Sequence, residues 1–291
     1  MASRLPSSRL AATVPAMFDW LRNRLRRGPA VPVVRLSGVI AAGGMLGSRG
    51  LSIESVAPLL ARAFSLRGAK AVALALNSPG GSPVQSALIA QRIRLLAAEK
   101  KLPVIAFVED VAASGGYWLA CAADEIIADP ASIVGSIGVI SAGFGFQDFL
   151  ARYGVERRVH TSGERKGMLD PFRPENPDDV ERLKRLQVEI HDGFKDWVRQ
   201  RRGMRLKGDD ALLFSGEFWT AKRGLEMGLV DGLGELRATL QQRYGAKVHL
   251  PVMAPRRRFL QRFGLGSSIG SIGPEMLAAL EERAHWQRFG L

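Results

Sequence analysis

Twice in succession this chain runs from an apolar stretch into a glycine turn and straight on into a helical pattern. AVALALN (71–77) leads through SPGGSP (78–83) into VQSALIAQRIRLLAAEK (84–100), and the second unit is PVIAFVEDVAASGGYWLACAAD (103–124). A buried strand that breaks at Ser-Gly-Gly and resumes as a helix exposes a hydroxyl where unpaired N–H groups favour a developing oxyanion. Ser114, at the second turn, therefore reads as a nucleophile. A lone SPGG is commonly a tight turn with a helix cap, and a lone ASGG a close packing site. Two such turns, each after a strand and each opening a helix, can between them supply two amides to one carbonyl oxygen, which favours a hydrolase.

A serine nucleophile needs a base, and the chain has only four histidines. His191 falls in a long charged helix and His285 in the C-terminal tail, both expected to be solvated. His249 has no nearby glycine turn or carboxylate constellation. His160, at the end of VERRVHT, leaves a triad open without nominating its orienting acid. The other candidate is Lys166 in TSGERKGMLDPF (161–172), a loop shaped by Gly163, Gly167 and Pro171. A lysine amine is a base near neutrality only where burial or a cationic neighbour weakens its hold on the proton. Most lysines in charged loops are simply solvated.

Four stretches together, NSPGGSP (77–83), VEDVAASGGYWLACAADEIIADPASIVGSIGVI (108–140), TSGERKGMLDPF (161–172) and FSGEFWTAKRGLEMGLVDGLG (214–234), resemble the bacterial signal peptide peptidase A (protease IV type) family of serine peptidases, related in fold to Clp protease and the crotonases. The resemblance covers roughly residues 31–250. It implies an α/β fold, a crotonase/Clp-like spiral of repeated strand-strand-helix units with flanking helices. It also implies Ser114 as nucleophile, Lys166 as general base, and the Gly81 and Gly115 amides as oxyanion donors. The substrate class it implies is signal-peptide remnants or membrane-protein fragments, and the assembly a ring of identical subunits, tetramer or octamer. Lys166 of one chain would then serve Ser114 of its neighbour. Two other classes fit the same turns: a crotonase-type acyl-CoA enzyme and a non-catalytic assembly protein of the same fold.

With 291 residues, 46% of them hydrophobic, and alternating strand and helix signals, the chain is long enough to bury a sizeable α/β core. Strands are expected near 31–40, 71–77, 103–108, 125–128, 133–140 and 155–160. Helices are expected near 53–66, 83–100, 115–123, 146–153, 177–202, 220–227 and 235–244. The domain organisation read from these signals is a basic segment (1–30), a peptidase domain (31–250) and a basic, Gly/Ser-rich appendage with a terminal helix (251–291). The lone Cys121 excludes a disulfide within the chain and reads as a core thiol. No metal or other cofactor is expected, since HExxH and ligand-spaced clusters are absent from the sequence.

The net charge of +13 raises nucleic acid or anionic membrane as partners. No RNP-like run, zinc-finger spacing or helix-turn-helix signature accompanies it, so a nucleic-acid partner is not expected. Residues 1–27 hold six arginines and one acid. Leu10, Val14, Met17, Phe18, Leu21 and Leu25 share one helical face while Arg22 and Arg26 point away, a pattern suited to peripheral contact with anionic lipid. No stretch reaches the ~18 to 20 apolar residues of a spanning helix, and a signal-peptide core is missing. The expected location is cytoplasmic or peripheral to the inner membrane.

Overall fold

A computed structural model describes residues 28–42, 50–254, 283 and 286–290. Valine, isoleucine, leucine and alanine dominate β2 (Val72–Ser78) and the first half of β3 (Val104–Ala113). That near-continuous apolar run marks strands covered on both faces. The two pair in parallel at the centre of the sheet, with β1 (Val33–Ser37) and then β8 (Val252–Met253) beyond β2. On its other edge β3 forks. Its first half pairs with β4 (Glu125–Ala128), and its last three residues pair with β5 (Ile133–Gly135). The only antiparallel pair among the described strands joins β5 to β6 (Phe218–Thr220), while β7 (Gly232–Leu233) adds to β4.

Alternation along β2 separates two cores. Val72, Leu74 and Leu76 enter the larger one, with Leu60 of α1 (Ile53–Phe64), Ile89 and Ile93 of α2 (Pro83–Lys100) and Leu119 of α3 (Gly115–Ala120). Ala73 and Ala75 face the smaller one, with Phe107, Ile127 and Leu240 of α8 (Leu236–Tyr244). Local chemistry starts the helices: Ser52 and Ser55 form a capping box at α1, and the Ser82 side chain accepts from the Gln85 N–H with Pro83 in the first turn of α2. The 26-residue α5 (Pro177–Arg202) buries only Phe194, Val198 and Arg202. Phe194 stacks on Trp118 at 4.6 Å, which fixes α5 against α3. The shorter α4 (Gln147–Arg152), α6 (Asp210–Leu213) and α7 (Ala221–Glu226) complete the described helices.

The α/β class and most of the expected elements are observed, with four differences. Residues 155–160 form no strand: VERRVH stays exposed apart from half-buried Val159 and joins no sheet among the described residues. β5 stops at Gly135 rather than near 140, because Gly135 (φ 109°) and Ser136 (φ 53°) turn the chain and the Ser136 N–H donates to Glu217 O at 2.7 Å. The strands β6, β7 and β8 are too short to leave a period-2 signal, and β8 carries the sheet past residue 250. His191 is half-buried rather than fully exposed, with Nε2 2.9 Å from Ile137 O. The N-terminal segment 1–27, residues 255–282 and His285 lie outside the described residues. Among the described residues no helix is long and apolar enough to cross a membrane.

Candidate active site

The two glycine turns lie against each other at the ends of β2 and β3. In the first, Ile40 N–H donates to Gly80 O at 2.8 Å and Ser82 N–H to Ile40 O at 2.7 Å, a parallel bridge between Ile40 and Gly81. In such a bridge the N–H of the central residue points away from the neighbouring strand. The Gly81 N–H therefore faces away from Ile40, and among the described residues it has no acceptor. Only glycine fits there, since a Cβ on Gly81 would stand 2.1 Å from Ile40 O and its φ is 139°.

Ser114 follows β3 directly, in a conformation an L-residue seldom adopts, φ 52° and ψ −122°. Its N–H donates to Gly135 O at 2.9 Å, and its carbonyl accepts from Trp118 N–H at 3.0 Å. These bonds from β5 and α3 hold the strained elbow, and the side chain is half-buried. Gly115, in the first turn of α3, leaves its N–H without an acceptor among the described residues, as a first-turn residue does. A Cβ on Gly115 would lie 2.5 Å from Ser86 Oγ and 3.4 Å from Gly80 Cα, so the two turns and the start of α2 are in close contact. The Ser114 elbow thus lies directly against the Gly80 turn, and the N–H groups of Gly81 and Gly115 on these two turns have no acceptor among the described residues.

None of the candidate bases is bonded to Ser114 among the described residues. Lys166 lies on an exposed loop, its N–H turned back to Gly163 O at 3.2 Å. That loop belongs to a small lobe held together by aromatic contacts, Phe146 on Phe172 at 5.6 Å and Phe144 on Phe146 at 6.3 Å. Asp170 caps it, accepting from Phe172 N–H at 3.0 Å and pairing with Arg157. The Phe172 N–H and then Arg157 outweigh desolvation and hold the Asp170 carboxyl below its ordinary range. The lobe presents Ile140, Phe144, Phe149 and Tyr153 to solvent, Phe144 at 82% exposure. His160 is exposed in the same region, and His249 serves the sheet, its N–H bonded to Pro29 O and its carbonyl to Val31 N–H.

Behind the elbow, α3 is locked by buried polar groups. Tyr117 hydroxyl donates to Leu229 O at 2.8 Å. Arg202, 2% exposed, makes paired bonds to Asp231 at 2.7 and 2.9 Å and two more to Gly228 O. Burial would raise the Asp231 carboxyl, but the Arg202 hydrogen bond, the Ile126 N–H and the charges of Arg202 and Arg205 together hold it below the ordinary value. Cys121 is buried as expected, and burial pushes its thiol up to about 12. The carbonyl of Gly135 was not legible as a site element from sequence, because the role is carried by backbone. Among the described residues no group of acids, histidines and cysteines could hold a metal ion.

A strained serine elbow beside a glycine turn, at the ends of parallel strands, is an arrangement suited to acyl transfer. Residues 97–248 match peptidase family S49, and the chain belongs to that family of serine peptidases. The whole chain is 50% identical to part of a protein of Brucella abortus named Na(+)/H(+) antiporter NhaA, spanning 41% of that protein's length. It is 32% identical to the chloroplastic serine protease SPPA of Arabidopsis thaliana, over 71% of this chain and 31% of that protein. It is likewise 32% identical to Protease 4 of Haemophilus influenzae, over 65% of this chain and 30% of that protein. The chain therefore spans well under two thirds of the length of these relatives.

Proposed function

We propose that this chain is an endopeptidase working through a Ser114–Lys166 dyad, with Gly81 and Gly115 amides binding the oxyanion. What supports the reading is the strained Ser114 elbow set against Gly80, with the N–H groups of Gly81 and Gly115 left without an acceptor among the described residues. Neutral Lys166 takes the Ser114 proton, Ser114 Oγ attacks the peptide carbonyl, and the oxyanion accepts from the two amides. Protonated lysine returns that proton to the leaving amine, and water then hydrolyses the acyl-enzyme. Loss of one such oxyanion donor costs about 3 to 4 kcal/mol of transition-state stabilisation. The family match favours peptide hydrolysis over acyl-CoA chemistry.

The exposed Lys166 loop supports a shared site. A lysine acting as a base needs dry surroundings, and the lobe that bears Lys166 exposes aromatic side chains suited to a second copy of the chain. In this reading a cyclic homo-oligomer places Lys166 of one subunit beside Ser114 of the next. Signal-peptide remnants or membrane-protein fragments are the substrates, and the basic amphipathic segment within 1–27 brings the enzyme to an anionic membrane. The antiporter name of the Brucella relative is in keeping with work at a membrane.

Hydrolysis of an unstructured peptide by Ser114→Ala, Lys166→Arg and His160→Ala tests the dyad. The first two are inactive and the third keeps most activity, because a guanidinium does not release its proton. An inactive His160→Ala beside an active Lys166→Arg reassigns the base to the histidine.

A further inference from the structure

We propose that Phe289 is a positioning residue for the nucleophile, bracing the corner of β3, β5 and β6 on which the Ser114 elbow is built. The inference rests on the reading of Ser114 as nucleophile. Ser114 holds a strained conformation, and its N–H is fixed by Gly135 O at 2.9 Å. Gly135 ends a three-residue strand whose outer neighbour, β6, is also three residues long. So short a ladder is weak alone, and the place of Gly135 depends on the side chains that cover it.

Both faces of that ladder are covered. On one, the Trp219 ring lies on Gly135, where a Cβ would stand 2.8 Å from Trp219 Cε3. On the other, Phe289 is 7% exposed in a cluster with Val111 and Ala113, joined by Ile133 and Trp286. Its ring also meets Phe218 edge to face at 5.0 Å. Ala113 is the residue before Ser114, and Phe218 is the register partner of Gly135. Phe289 thus reaches the nucleophile by two short routes, through the strand that carries Ser114 and through the hairpin that accepts its N–H. A turn holds it there, with Phe289 N–H on Trp286 O at 3.0 Å and Gly290 N–H on Gln287 O at 3.1 Å.

The test is the acylation rate constant with a fluorophosphonate probe, per mole of folded enzyme in the full chain, for wild type, Phe289→Ala, Phe289→Leu and Leu240→Ala. Leu240 is fully buried in the smaller core, away from the elbow, and controls for lost stability alone. Phe289→Ala is expected to slow acylation about tenfold or more while peptide KM stays within about twofold, the signature of misplaced reacting groups. Phe289→Leu regains most of the rate, and Leu240→Ala acylates as wild type although it melts earlier. Wild-type acylation by Phe289→Ala, or equal slowing by Leu240→Ala, overturns the proposal. Should Phe289→Ala not fold, Phe218→Ala replaces it, and an unchanged rate there is equally decisive against the proposal. A wild-type enzyme that does not label contradicts the nucleophile reading itself, and the role of Phe289 falls with it.

Discussion

Gly80 approaches Ser114 so closely that a Cβ on Gly80 would stand 2.8 Å from the Ser114 Cβ and 2.8 Å from the Gly115 nitrogen. The two turns can meet only because one of them lacks a side chain. Gly80→Ala must therefore push the elbow away from the Gly81 turn. The expected outcome is a folded protein destabilised by ~1 to 3 kcal/mol whose kcat falls about a hundredfold. Thermal melts and peptide hydrolysis on the same preparation check both numbers.

Arg202 and Asp231 form a pair with the arginine almost wholly buried, so removing the acid strands a cation in the core. Asp231→Asn is expected to cost ~3 to 5 kcal/mol, read as a fall in Tm of roughly 10 °C. The same pair sets an acid limit. Because the folded Asp231 carboxyl is held below its ordinary value of 3.8, its stabilisation is present above that pH and is lost as pH falls through the lowered folded value. Melts from pH 5 to pH 2 should show this slope in wild type and a shallower one in Asp231→Asn.

How far the sequence reveals this molecule depends on the kind of signal each part leaves. β2 and β3 are buried on both faces and feed helices directly, so their runs and glycine turns are plain in AVALALNSPGG and VAASGG. The fork on β3 is not legible, because β5 and β6 pair over three residues and leave no periodicity. VERRVH is expected as a strand, yet it joins no sheet and stays mostly exposed. Phe289 sits far along the chain from Val111 and Ala113, and only the fold brings them together. The anchor on Ser114 N–H is a backbone carbonyl, a role that selects no side chain.

Cys121 offers a check on the packing behind the nucleophile. With its thiol pushed up to about 12 by burial and no exposed surface to speak of, it is expected not to react with a disulfide reagent at pH 8 in the folded protein. One thiol per chain should appear on adding denaturant, and peptidase activity should be indifferent to the reagent. Stoichiometric reaction under native conditions would mean that α3 opens readily.

The shared-site reading predicts complementation. Ser114→Ala and Lys166→Ala, each inactive alone, should regain partial activity after subunit exchange, since some interfaces then pair an intact serine with an intact lysine. Absence of rescue with subunit mixing demonstrated by mass would place both groups in one chain.

The most direct measurement is the site of covalent capture. Wild-type protein treated with a fluorophosphonate and digested should carry a single adduct, on Ser114, with labelling abolished in Ser114→Ala and strongly slowed in Lys166→Arg. An adduct on another residue, or labelling that persists in Ser114→Ala, would contradict the assignment of the elbow serine as nucleophile.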